Sequence, residues 1–285
     1  MFNPKTIFMN WHNHHTTVIT GACGGIGKAF ASQCAALGHR LVLIDLDLQQ
    51  LRQLQQWLVK NHQVEVFVVK ADISNLHEIE TLANFFEIHR LRITWLINNA
   101  GIGHTSLFER TASSHLYKEL SVNVLGTTLL THALLPFFNH YQQGCILFMS
   151  SLASFYALPF KNTYGASKAY VTQFAGALRF ELKDRDISVS VCCPGFVNST
   201  VQQFLSIARL PRLEQMLTIN PKIVVAQAIE GVQAGKHLII PGLMARLLFH
   251  ITRMLPAGML KKATERKFRS MKGLLLKPVV NPAIS

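Results

Sequence analysis

The sequence predicts an α/β protein built on a single parallel sheet covered by helices on both faces. Two observations point there. Short runs rich in β-branched residues alternate with longer segments of helical period along most of the chain. Strand and helix follow one another in turn, which is the signature of a parallel sheet covered on both faces. No internal repeat, low-complexity tract or Pro/Gly/Ser linker divides the 285 residues, so one domain is expected.

In chain order, the strand-like runs are 16–20, 40–44, 64–69, 93–98, 145–150, 187–192 and 237–240, seven in all. Helical periodicity occupies roughly 25–37, 47–61, 75–90, 113–140, 162–184 and 221–234. After Pro241 the pattern changes. LMARLLFHITRML places Arg246, His250 and Arg253 on one side of a helix with Leu and Phe opposite, and a second basic helix is expected at roughly 259–271, beyond Pro256 and Gly258. The expected organisation is therefore a core over 1–242, with a substrate loop near 196–220, and a basic amphipathic extension over 243–285.

With 49% hydrophobic and 15% charged residues the chain is not disordered. Its formal charge is +13, and the excess is local: Arg246 to Lys277 holds nine basic residues against one acid, Glu265. That distribution suits a tail that meets anionic lipid or one that packs on the protein's own body or a second subunit, and the sequence leaves both open. Nucleic-acid binding would rest on charge alone, since Phe268 is the lone aromatic between Lys261 and Lys277, and no nucleic-acid partner is expected. The first fifteen residues lack the apolar core of a signal peptide, and no uncharged stretch of about 18 residues is expected to span a membrane. Five cysteines without C-x-x-C spacing suit a reducing compartment. A cytoplasmic protein follows, with any membrane contact peripheral. His12, His14 and His15 read as a solvated arm, and no metal is expected.

Two clusters carry chemistry. The first is TGACGGIG, Thr20 to Gly27, between the first strand and the first helix. Gly21, Gly25 and Gly27 let the backbone turn tightly and approach a pyrophosphate, which the helix N-terminus then holds. Asp45 stands at the end of the second strand, where a carboxylate accepts hydrogen bonds from ribose hydroxyls and repels a 2′-phosphate. Leu46 follows where an enzyme binding that phosphate often has Arg, so NAD(H) is favoured and NADP(H) is the alternative; Lys28 and Arg40 lie near in sequence. The second cluster is SSLASFYALPFKNTYGASK. Tyr164 and Lys168 sit four apart on a helix, so both project from one face, and an ammonium beside a phenol stabilises the phenolate that acid/base work needs.

Together these residues resemble the short-chain dehydrogenase/reductase family over most of 16–200. Its TGxxxGxG is Thr20–Gly27, its NNAG is Asn98–Gly101, its active-site Asn is Asn123 in SVNVLG, its Ser is Ser151, its YxxxK is Tyr164 to Lys168, and its PG turn is Pro194–Gly195. The resemblance implies a Rossmann-type, doubly wound seven-stranded sheet. It further implies that Tyr164 is the acid/base, that Ser151 polarises the substrate oxygen, that Lys168 binds the nicotinamide ribose and lowers the Tyr164 pKa, and that Asn123 positions a relay water. Ser150 competes for the serine role, but Ser151 stands at the family spacing from Tyr164. Cofactor contacts are expected from Gly21, Gly25, Ile26, Gly27, Asp45, Asn99, Ala100 and Gly101. Asp72 is expected near the adenine or as a helix cap, with Ile73 beside it. Pro194, Gly195 and Val197 are expected to frame the nicotinamide, and Ser199 or Thr200 to bind its carboxamide.

The loop after the PG turn is rich in Phe, Leu, Ile and Met, which suits an apolar lipid-, acyl- or steroid-like alcohol or ketone, or simply a lid packed on the body. The resemblance also implies a homo-oligomer through the long helices at 113–140 and 162–184. The rival reading is a non-catalytic dinucleotide-binding protein acting as a membrane-associated or redox-sensing partner, against which the intact Ser151, Tyr164 and Lys168 set argues. An epimerase of the longer branch is disfavoured by chain length and glycine spacing.

Overall fold

The computed structural model describes residues 15–138, 143–198 and 218–256, and most of 258–269. In chain order the elements are β1 (Thr16–Thr20), α1 (Gly25–Ala36), β2 (Arg40–Asp45), α2 (Leu48–His62), β3 (Val66–Lys70), α3 (Leu76–Ile88), β4 (Trp95–Asn98), α4 (Ser113–Leu120), α5 (Thr127–Leu134) and β5 (Gly144–Met149). There follow α6 (Asn162–Glu181), β6 (Ile187–Cys192), β7 (Phe196–Val197), β8 (Thr218–Ile219), α7 (Pro221–Gln233), β9 (Leu238–Ile239) and α8 (Leu243–Met254).

Seven strands form one parallel sheet in the order β3-β2-β1-β4-β5-β6-β9, each at the position expected from its β-branched run. Successive side chains point to opposite faces and both faces are covered. Val18, Val42, Leu96 and Ile146 pack beneath α3, α5 and α6, while Ile19, Leu43, Ile97 and Leu147 pack beneath α1, α2 and α7. The fold is thus a doubly wound Rossmann-type sheet, and its order reverses between β1 and β4, where such sheets open a crevice at their strand ends. Three of the helices begin where short polar side chains satisfy free N–H groups: Asp47 accepts from Gln50 at 3.0 Å, Asn75 from His77 at 3.0 Å and Asn220 from Lys222 at 2.9 Å. Asn75, rather than Asp72, therefore caps α3.

The segment expected as one helix at 113–140 is helical from Ser113 to Phe137. Between α4 and α5 it carries a π-helical turn, Ser121–Gly126, and it closes in a 3-10 turn, Leu135–Phe137. Periodicity does not register the π turn, which coincides with tertiary contacts. Gly126 presses on the Ile73 backbone, where a Cβ would lie 2.5 Å from the Ile73 carbonyl oxygen, and Asn123 is drawn inward to the loop after β4. By length and composition alone, Ser113–Phe137 is long and apolar enough to cross a membrane. Half of that apolar window is buried against the sheet and neighbouring helices, as befits a core helix.

Two further differences concern the ends of the core. His15 is buried, 5.4 Å from the ring of His39, rather than solvated; His12 and His14 lie outside the described residues. The substrate loop lies mostly outside them too, but its two ends pair as a parallel ribbon, Phe196 with Thr218 and Val197 with Ile219.

Candidate active site

At the crevice, two turns are locked together. The Thr20 hydroxyl accepts from the backbone N–H groups of Asn99 and Ala100, both at 3.0 Å, and the Asn99 amide donates to the carbonyls of Thr20 and Gly21 at 2.9 and 3.1 Å. Gly21 has φ +63°, and a Cβ there would lie 2.9 Å from the Ala100 Cα. A Cβ on Gly27 would lie 2.1 Å from the Gly21 carbonyl oxygen, so α1 starts in direct contact with the turn. These crowded glycines leave the N-terminus of α1 bare, and no side chain caps it. A backbone cradle of this kind fits a pyrophosphate. Gly25 and Ile26 form the first residues of α1.

Asp45 binds the same turn: one carboxylate oxygen accepts from Cys23 N–H at 2.8 Å and the other from Leu46 N–H at 2.7 Å. Burial and the Asp45 charge push the Cys23 thiol up to about 12, so it remains a thiol at neutral pH. Arg40 pairs with Glu65 at the opposite end of β2 and takes no part in the crevice. Lys28 reaches Gln50 at 3.3 Å on the first turn of α2, close to Asp45 and Asp47. Asp72 accepts from the Ser74 N–H and hydroxyl at 2.9 and 2.6 Å and pairs with Lys118 at 2.7 Å, contacts that hold its carboxyl below the usual range against the effect of burial. Ile73 is buried against Gly126.

The chemical cluster gathers across β4, β5, the π-helical turn and α6. Lys168 is buried and its ammonium donates to the Met149 carbonyl at 2.8 Å; desolvation pushes its pKa down to about 8. The Tyr164 ring centre lies 5.9 Å from Lys168 Nζ. Burial raises the Tyr164 phenol above its ordinary range, the Ser151 hydroxyl pulls it down, and the Glu119 charge pushes it up. The net direction is opposite to the lowering expected from Lys168, because burial dominates and the ammonium is held at Met149. Ser151 lies at the end of β5, its hydroxyl accepting from Ala153 N–H at 3.1 Å. Ser150 instead points into the core, bonded to the Lys168 carbonyl at 2.9 Å and the Thr172 hydroxyl at 2.8 Å, which leaves Ser151 to face the crevice.

Asn123, fully buried, donates to the Ile102 carbonyl at 2.8 Å and accepts from Ile102 N–H at 2.9 Å, while also donating to the Ser167 hydroxyl at 3.0 Å. This pins the loop after β4 against the cluster. A Cβ on Gly101 would lie 2.9 Å from Lys168 Nζ, and one on Gly103 only 2.5 Å from Tyr164 Cδ2. Pro194 receives a bond from Leu152 N–H at 2.9 Å, which ties the PG turn to the segment after Ser151, with Gly195 and Val197 next in line. Ser199 and Thr200 lie outside the described residues.

Three residues escaped the sequence reading. Gly103 carried no signal beyond a GxG in a loop. His104 and Glu119 form a pair at 3.2 Å, with Glu119 1% exposed. An isolated Glu on an amphipathic helix looks solvated until the fold buries it. Among the described residues no group of three or more His, Cys, Asp or Glu side chains gathers as a metal site.

Comparison with known proteins places this geometry. A very-long-chain 3-oxoacyl-CoA reductase of Vanderwaltozyma polyspora is 29% identical over 229 residues, 77% of this chain and 64% of that protein. The chain spans about three fifths of the length of the curated relatives it matches. A short-chain dehydrogenase from Sphingobium yanoikuyae in complex with NADPH superposes with a TM-score of 0.74 at 24% identity, covering 95% of this chain and 98% of that one. One from Burkholderia phymatum in complex with NAD superposes with a TM-score of 0.73 at 24% identity, covering 86% and 94%. Residues 15–209 match the family of short chain dehydrogenases, two thirds of the sequence including both the glycine-rich cradle and the Tyr164–Lys168 helix, and the chain belongs to that family of oxidoreductases.

Proposed function

We propose that the protein interconverts an apolar alcohol and its ketone or aldehyde with NAD(H), using Tyr164 as the acid/base. The observation that carries this reading is the convergence of Tyr164, Lys168, Ser151 and Asn123 on the loop that begins at Gly101. A bound nicotinamide supplies or accepts the hydride. Gly21, Gly25, Ile26, Gly27, Asn99, Ala100 and Gly101 would hold the dinucleotide at the β1/β4 crevice, Asp45 its adenosine ribose, and Pro194, Gly195, Val197 and Ser199 the nicotinamide end. Lys168 serves the nicotinamide ribose. Asp72 and Ile73 border the adenine side through the turn that Lys118 and Gly126 support.

In oxidation, Tyr164 in its phenolate form takes the hydroxyl proton as the carbon gives up hydride; in reduction the phenol returns that proton to the carbonyl oxygen. Ser151 donates to the substrate oxygen and holds it beside the phenol. Asn123 is anchored by three hydrogen bonds, and its π-helical turn sets the backbone where a relay water would bind. Preference for NAD(H) is supported by Asp45 and by Leu46 beside it, while Lys28 on the rim is the residue through which NADP(H) would be tolerated.

An apolar substrate is supported by the Phe-, Leu-, Ile- and Met-rich composition of the loop after the PG turn and by the long-chain substrate in the name of the yeast relative. A homo-oligomer is supported by Leu125 and Leu129 on α5 and its preceding turn and by Tyr170 and Phe180 on α6, all exposed on the helices expected to pair. The five cysteines are free thiols, in keeping with a cytoplasmic enzyme. In this reading 1–242 is the catalytic domain and 243–285 its extension.

The test is a titration with NADH and NADPH, followed by nicotinamide fluorescence, of the wild type, Asp45→Ala and Tyr164→Phe, with a screen of apolar ketones for NADH oxidation. Expected are NADH binding weakened by Asp45→Ala and turnover abolished by Tyr164→Phe with binding retained. Failure to bind either dinucleotide would overturn the reading in favour of a protein that works through its extension.

A further inference from the structure

The helix α8 has three distinct faces. At 3.6 residues per turn, Ala245, Leu248, Phe249 and Thr252 share one side, and that side is packed on the core: Ala245 and Phe249 are buried, Phe249 meets the Phe155 ring at 4.8 Å, and the Thr252 hydroxyl bonds the Tyr156 hydroxyl at 2.7 Å. A second side carries Arg246, His250 and Arg253, all exposed, with Arg253 stacked over Phe249 at 5.4 Å. The third side is apolar and open to solvent, with Leu243 71%, Leu247 50%, Ile251 46% and Met254 85% exposed. The packing contacts of a core helix thus use one apolar seam and leave another uncovered, bordered along its length by cations. No acid lies on α8, and Glu265 is the lone acid from Arg246 to Lys277.

We propose that this outer face of α8 docks on an anionic lipid bilayer, with Leu243, Leu247, Ile251 and Met254 below the headgroups and Arg246 and Arg253 among the phosphates. The inference deepens the proposed function, because the inner side of the same helix rests on Phe155 and Tyr156, four and five residues after Ser151. Beyond α8, Phe268 stacks on Phe160 at 5.4 Å, so the extension lies along the segment that leads to Tyr164. Docking would bring the segment between Ser151 and Tyr164 toward the bilayer, where an apolar alcohol or ketone partitions.

Charge decides among the occupants. A second copy of the chain packed face to face on this stripe would oppose Arg246 and Arg253 with like charges at the rim, which costs affinity. An anionic surface turns the same cations into an attraction, and each arginine near such a surface strengthens binding roughly fivefold. Nucleic acid would use the cations and leave the four apolar side chains in water.

Flotation of the full-length protein with vesicles tests this, comparing phosphatidylcholine alone with phosphatidylcholine containing phosphatidylglycerol. The wild type should bind the anionic vesicles and release at high salt, and Leu247→Glu or the pair Arg246→Glu with Arg253→Glu should each lower binding about tenfold or more. Circular dichroism and NADH affinity of the variants should match the wild type, since none of these side chains faces the crevice; a fold lost in one variant leaves the other to decide. Absence of wild-type binding to anionic vesicles, or equal binding by both folded variants, would overturn the proposal. So would sedimentation showing a dimer that Leu247→Glu dissociates, which would assign the face to a second copy. Because NADH binding is read separately, a failure of docking and a failure of the proposed dehydrogenase activity remain distinguishable.

Discussion

His104 Nδ1 stands 3.2 Å from Glu119 Oε2, and this pair joins the loop after β4 to α4 one turn before Asn123. Glu119 is sealed from solvent, burial raises its pKa against the opposing pull of His104, and its charge reaches both Tyr164 and Lys168.

Removing that charge should therefore ease ionisation of Tyr164. In Glu119→Gln the acidic limb of the pH profile of kcat/KM for alcohol oxidation is expected to move to lower pH, since a nearby carboxylate disfavours phenolate. An unmoved limb, or one moved upward, would show that Glu119 does not act on the phenol.

Gly103 lies flat against the Tyr164 ring, with room for no further atom. The Gly103→Ala methyl must displace the ring from its place beside Ser151. A displacement of about 1 Å from a productive geometry can cost on the order of a hundredfold, so kcat should fall by about tenfold or more while NADH affinity changes little. Wild-type kcat in this variant would show that the ring moves freely.

Lys168 is an ammonium in a site that penalises its charge. Its pKa in the folded protein, about 8, is below the 10.5 of the exposed side chain, so between these values the unfolded chain binds more protons than the folded one. Its contribution to stability accordingly rises with pH across that window, and below it the full cost of burying the charge is present. Urea unfolding of the cofactor-free protein at pH 7.5 and pH 10 should show the wild type gaining roughly 1–3 kcal/mol relative to Lys168→Met. Parallel behaviour of the two proteins would contradict the assignment. Turnover should be lost in Lys168→Met at either pH.

Lys28 is the cation at the rim of the adenosine side, bonded to Gln50 rather than to an acid. Lys28→Ala should weaken NADPH binding more than NADH binding, and Asp45→Ala should narrow the gap between the two cofactors from the other side. Titration of both variants with both cofactors measures this directly.

How far could the sequence be read? The seven strands were legible because a parallel strand buried on both faces must be apolar at successive positions, and that pattern is local. Tyr164, Lys168 and the glycines of Thr20–Gly27 were legible because their spacing sets their geometry within one helix or one turn, whereas Ser151 was named through the family resemblance. The π-helical turn within the helix at 113–140, the burial of Glu119 and the close approach of Gly103 were not. Each depends on residues distant in sequence: Ile73 against Gly126, His104 against Glu119, and the Tyr164 ring against Gly103.

The sequence by itself determined the alternation of strand and helix, the glycine-rich first turn and the placing of Tyr164 and Lys168 one helical turn apart. The tertiary structure decided the direction in which Tyr164 and Lys168 titrate, because desolvation depends on what surrounds a group rather than on its neighbours in the chain. It also gave the two serines different partners, tying the Ser150 hydroxyl to Thr172 and the Ser151 hydroxyl to the Ala153 N–H. On α8 it separated two apolar seams that a helical pattern alone merges, burying Ala245 and Phe249 and leaving Leu247 and Ile251 in water, because burial is allotted by the surface a helix meets.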